Sequence, residues 1–173
     1  MDTDRLSLLK WQFSVAWRLT DLHLTRLTDA ACLWKPSEDS WTVRMDDKGA
    51  WRADWTGEDP ESPAPPTIAW LSWHVIWWWS GTLAAVAGDT PQEARSVAWP
   101  GDAHGAQSGI RSLSQSWSRL LDSAEETELS RPVSFPRPEP RPLIYALFWV
   151  NLELTKNAAE IGEVMNMFVH RAK

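Results

Sequence analysis

The sequence predicts an all-α protein, a bundle of four helices with a small β-hairpin inserted between the first and second. Three observations lead there. Apolar residues recur at three- and four-residue spacing in four separate stretches. One alternating stretch turns at Asp46-Asp47-Lys48-Gly49, the mark of a short hairpin. The connections between these stretches are rich in Pro, Gly and acidic residues, which interrupt helices. At 173 residues the chain is read as one domain over 1–173, long enough to bury a real core.

The first helix is expected over 5–28, with Leu8, Leu9, Gln12, Val15, Ala16, Leu19, Leu22 and Leu27 keeping its rhythm and no Gly or Pro to break it. The hairpin comes from SWTVRMDDKGAWRADW, and GEDPESPAPP follows as a loop that cannot be helical. Thr67 suits the N-cap of a second helix, TIAWLSWHVIWWWSGTLAAVAG, with Gly88 as its C-cap. That run is nearly long enough to cross a bilayer. Its tryptophans, however, lie mid-segment, a histidine sits among them, and the nearest basic residues are Arg52 and Arg95. A buried bundle helix has this character. A third helix fits 108–124 through Ile110, Leu113, Trp117, Leu120 and Leu121. The stretch 125–142 ends in SFPRPEPRP, read as an extended, proline-stiffened connector. Pro142 suits the first turn of the last helix, which runs to about Phe168.

Lys and Arg number 17 against 23 Asp and Glu, a net charge of −6 with the two signs interspersed. Nucleic acid and anionic membrane both need a basic field, so neither is expected as a partner. The single cysteine, Cys32, cannot form an internal disulfide, and the start MDTDRLSLLKWQF has no basic segment leading into an apolar run. A cytoplasmic setting is the corresponding expectation. Tryptophan is the outlier, at 14 residues against one tyrosine. Each indole brings a broad apolar face and an N–H that needs an acceptor when buried.

On the last helix, Glu153, Asn157 and Glu160 recur at i, i+4 and i+7. At about 100° per residue, Leu147, Leu154, Ala158, Ile161, Met165 and Phe168 form the apolar stripe. Asn157 lies only about 60° from Leu154, and Glu153 borders the stripe, while Glu160 is a little further out. Asn157 is therefore expected to point inward. On the second helix His74 shares a face with Thr67, Leu71 and Trp78, with Trp70 and Trp77 beside it. An imidazole among indoles needs partners for its nitrogens, and a carboxylate on a facing helix is one. His and Glu projecting from facing helices are also how bundles assemble metal sites.

The succession SWTVR, TIAWLSWH and VNLELTKNAAEIG resembles the DinB-like superfamily, and within it bacterial members that include mycothiol-dependent maleylpyruvate isomerase. The resemblance covers most of the chain and is sharpest at the second and fourth helices. It implies an up-down-down-up four-helix bundle and a cleft holding a divalent metal, often zinc or nickel, on three side chains. His74 matches the ligand on the second helix and Glu153 the first of an i, i+4 pair on the fourth. The second of that pair should be His and is Asn157, and Lys156 stands where a further His would be. An amide oxygen is a poor ligand for zinc or nickel. Glu160 is the possible substitute ligand, and a hydrogen bond from His74 to Glu153 or Asn157 is the alternative use of these groups.

Function is accordingly expected to be small-molecule binding in a cleft walled by Trp70, Trp77 and Trp78, with a weakened metal site. The alternative implied by the resemblance is a metal-dependent S-transferase or isomerase using a low-molecular-weight thiol of the mycothiol or bacillithiol type. A third expectation is a homodimer formed through exposed apolar surface. His23, His104 and His170 read as surface residues, and no nucleophile motif or phosphate-cradling glycine loop occurs.

Overall fold

The computed structural model describes residues 4–55, 64–136 and 138–171. Its long helices are α1 (Arg5–Leu24), α3 (Ile68–Ala87), α4 (Ala103–Ser123) and α5 (Leu143–His170), with a one-turn α2 (Asp29–Cys32) after α1. The hairpin β1 (Val43–Met45) and β2 (Trp51–Ala53) lies between α2 and α3, paired Val43 to Ala53 around the predicted turn. Gly49 takes φ 78° there, the left-handed geometry that a side chain resists. Among the described residues no helix is long and apolar enough to cross a membrane.

The central element is α3, which buries side chains around nearly its whole circumference. Both predicted caps hold it. The Thr67 side chain accepts from Trp70 N–H, and Gly88 closes the helix at φ 86°. The tryptophans pack as a ladder of edge and offset contacts along it, such as Trp73 against Trp77 at 6.0 Å and Trp55 against Trp77 at 4.8 Å. Several indoles find acceptors across the fold. Trp73 donates to the Val97 carbonyl and Trp99 to Ser72, both at 2.9 Å. The tryptophan excess therefore builds the core first.

Four expectations change. The first helix stops at Leu24, because Thr28 caps a new turn by accepting from Ala31 N–H at 3.2 Å. Its buried face is Leu6, Leu9, Phe13, Ala16, Thr20 and Leu24, so Leu8, Leu19 and Leu22 point outward. This helix carries two apolar stripes, and spacing alone does not say which one the bundle covers. The third helix begins five residues earlier than predicted, at Ala103, since the Asp102 carboxylate caps Gly105 N–H at 2.6 Å. The supposed linker folds back on itself. Its strands β3 (Pro132–Val133) and β4 (Arg141–Pro142) pair antiparallel, with prolines at positions where a missing N–H is tolerated. Most of GEDPESPAPP lies outside the described residues.

Against α1, the Asn151 amide donates to the Leu9 carbonyl at 3.1 Å and to Gln12 at 3.0 Å. Eleven residues on, the His23 ring packs onto Gly162, where a Cβ would come within 2.6 Å of it. His23 is thus half-buried rather than a surface residue, its Nδ1 sealed and unpartnered among the described residues. Burial, and secondarily Arg26, hold its pKa below the usual imidazole value.

Candidate functional site

His74 projects from the middle of α3 and stacks on Trp70, rings 10° from parallel with centroids 5.1 Å apart. Trp70 is itself fixed, its indole N–H donating to the Asp54 carbonyl at 2.7 Å. The imidazole is half-buried, and its Nδ1 is closed off from solvent with no hydrogen-bond partner among the described residues. Burial pushes its pKa down to about 4, the positive charge of Lys156 pushes the same way, and the nearby Asn157 side chain opposes them. His74 is therefore a neutral imidazole at pH 7.

From α5, Asn157 does point inward, with 1% of its surface exposed. Its Oδ1 accepts from the Trp78 indole at 3.0 Å, and its Nδ2 donates to Glu160 Oε2 at 2.7 Å. Both ends of the amide are in use. Glu153, whose side chain is 13% exposed, accepts a hydrogen bond from the Lys156 ammonium. The fold thus brings His74, Trp78, Asn157 and Glu160 together, and it ties Glu153 to Lys156.

Zinc or nickel would need three imidazole or carboxylate donors converging on one point. The sealed Nδ1 of His74 has no partner among the described residues, but Asn157 Oδ1 already accepts from Trp78, a Glu160 oxygen accepts from Asn157 Nδ2, and Glu153 holds an ammonium. Among the described residues no group of three or more His, Cys, Asp or Glu side chains is placed to hold a metal ion. The residues present do not fit that ion.

Trp70, Trp77 and Trp78 are all buried. The open concavity lies alongside, between the β3–β4 turn and the start of α5, with a volume of about 380 Å³. Val133, Phe135, Tyr145 and Trp149 give it apolar walls, and Glu139 and Arg141 stand at its rim. Its walls rest on the buried indoles. Phe135 meets Trp77 edge-on at 6.2 Å, and Trp149 meets Trp78 edge-on at 5.2 Å. Phe135 also lies so close to Gly81 that a Cβ there would stand 2.5 Å away, so only glycine leaves that ring its seat. Sequence reasoning missed this groove because it treated 125–142 as a connector. The alternation of Val133 and Phe135 inside the proline run was the available signal. Among the other candidates, His104 and His170 are exposed as expected.

No curated protein matches the chain. Among solved structures it is similar to one titled as the crystal structure of the conserved protein of locus from Enterococcus faecalis. The TM-score is 0.66 at 12% identity, over 97% of this chain and 99% of that one, a likeness of fold alone. The DinB superfamily model matches residues 12–161, from the middle of α1 through the Glu153–Asn157–Glu160 stretch of α5. The likeness of SWTVR, TIAWLSWH and VNLELTKNAAEIG to that group is therefore one of descent: the chain belongs to the DinB superfamily.

Proposed function

We propose that this chain is a DinB-superfamily binding protein that takes a small, largely apolar molecule into the groove beside α5. In the same reading, the cleft at His74 serves as a closed polar network in place of a divalent metal centre. The observation that carries it is the unbroken run from Trp78 N–H to Asn157 to Glu160, which uses the donor atoms a metal would need. Lys156 adds to it. Its ammonium already neutralises Glu153, the strongest matching ligand on α5. The groove has the size and apolar lining of a small-ligand site, with two charged groups at its mouth. An up-down-down-up helix order belongs to this reading too, supported by two contacts between α1 and α5. Asn151 on Gln12 and Gly162 on His23 keep one offset, which two helices running the same way require.

Two measurements test it. Elemental analysis of protein purified without chelator, then dialysed with zinc or nickel, is expected to show far less than one ion per chain. Asn157→His combined with Lys156→Ala should raise this to one. A stoichiometric ion in the wild-type protein that is lost on His74→Ala would overturn the network reading and favour metal-dependent thiol transfer. For the groove, a panel of small aromatic and aliphatic carboxylates and amines is screened by thermal shift and tryptophan fluorescence. At least one should bind and lose its effect in Trp149→Ala; failure of every compound removes the groove as a site.

A further inference from the structure

Two ion pairs fasten α1 to α4. Lys10 meets Asp122 at 3.7 Å, and Arg111 meets Asp21 at 2.9 Å. The pairs are eleven residues apart on each helix and in opposite order. The two helices therefore run antiparallel, with about 16 Å of seam between the clamps. Small side chains occupy that interval, Ser14 on α1 with Ser114 and Ser118 on α4. Two adjoining concavities of about 600 and 590 Å³ result, and Trp17 and Ser118 line both.

Their walls carry four cations, Lys10, Arg18, Arg111 and Arg119, against the two anions Asp21 and Asp122, in a chain whose net charge is −6. Each aspartate is already engaged by a clamp, and neither Arg18 nor Arg119 makes an ion pair among the described residues. The register of the clamps sets these two arginines about 7.5 Å apart along the seam, on opposite helices, with Trp17 and Ser118 between them. Trp17 is half-buried and rests against the buried Trp79, centroids 6.4 Å apart. Trp11, on the wall of the second concavity, is 67% exposed, an unusual position for an indole that only packs.

We infer that the α1–α4 seam is a second binding site, separate from the groove beside α5, whose ligand is a small aromatic anion of the aryl phosphate type. The ring lies against Trp17, which removes a broad apolar face from water. The phosphate sits between Arg18 and Arg119, whose planar forks each offer paired N–H donors to its oxygens, and the Ser118 hydroxyl is a further donor. A neutral ring would leave both guanidinium groups unanswered, and a cation would meet two like charges. Bare phosphate would leave the indole wet. Only the two parts joined use the whole seam.

Calorimetric titration of the full chain with 1-naphthyl phosphate is the test, with 1-naphthol and inorganic phosphate as the halves of the probe. The whole probe is expected to bind at about 100 μM or tighter, and at least tenfold tighter than either half. Arg18→Ala and Arg119→Ala should each weaken it about tenfold. Raising salt from about 0.05 to 0.5 M should weaken it severalfold. Both arginines are exposed, so each variant should keep the wild-type far-UV circular dichroism. Arg95→Ala, at an exposed arginine outside the seam, should leave the affinity unchanged. The double variant Arg18→Ala with Arg119→Ala also separates the two sites, since a probe seated at Trp149 would ignore it. Absence of binding, binding untouched in that double variant, or equal affinity for either half would overturn the inference.

Discussion

The indole N–H of Trp78 ends on the side-chain oxygen of Asn157, 3.0 Å away, across the packed interior between α3 and α5. Both residues are buried, so the bond relieves the cost of burying each polar group. Replacing Asn157 by Leu leaves the donor orphaned, and a loss of about 1–3 kcal/mol in chemical denaturation is expected. Trp78→Phe removes the donor as well. The double variant should therefore recover a coupling energy on the order of 1 kcal/mol. Strict additivity would show that the bond carries no energy.

The pH dependence of stability has a definite sign. Unfolded His74 takes a proton below about 6.5, whereas the folded protein resists until about 4. Between those values the unfolded chain holds more protons, so stability falls as pH falls, by up to ~1.4 kcal/mol per pH unit for this one group. Above the window the contribution is constant. His23 is lowered in the same direction, so the test is a comparison between proteins. His74→Gln should show a shallower slope than wild type from pH 6.5 to 4, and equal slopes would refute the assignment.

Gly162→Ala should destabilise, because the added methyl meets the His23 ring at 2.6 Å in a packed helix–helix seam. Overpacking of this kind costs about 1–3 kcal/mol. Pairing it with His23→Ala opens the space again, and most of the loss should return in urea titrations. No recovery would mean that the seam tolerates no side chain there for some other reason.

The thiol of Cys32 is pushed up to about 12, first by burial and then by Asp29 and Asp102. The thiolate is the reactive form, so the folded protein should label negligibly with a disulfide reagent at pH 8. Labelling should accelerate with denaturant in step with unfolding. An immediate stoichiometric reaction in native buffer would contradict the burial.

Much of this was legible in the residues. Thr67 and Gly88 announced the ends of α3, and Asp46 through Gly49 announced the hairpin, because caps and turns depend on chemistry local to a few positions. The inward placement of Asn157 followed from its angle to Leu154. What was not legible depended on distant partners. Leu8 and Leu19 sit on as regular a stripe as Leu6 and Phe13, and only the position of α5 decides which is covered. The preference of Lys156 for Glu153 is a choice between rotamers that spacing does not encode. The β3–β4 turn was missed because proline suppresses the usual strand signature while Arg141 and Val133 still pair.

Trp70, the platform under His74, is tied to position 54 through a main-chain carbonyl, not through the aspartate side chain. Any residue at 54 can supply that oxygen, so point substitutions there leave the tether standing, whereas shortening or lengthening the hairpin by one residue would pull it away. Inheritance can thus change the side chain at position 54 without cutting this tether, while the length of the β1–β2 segment stays under constraint.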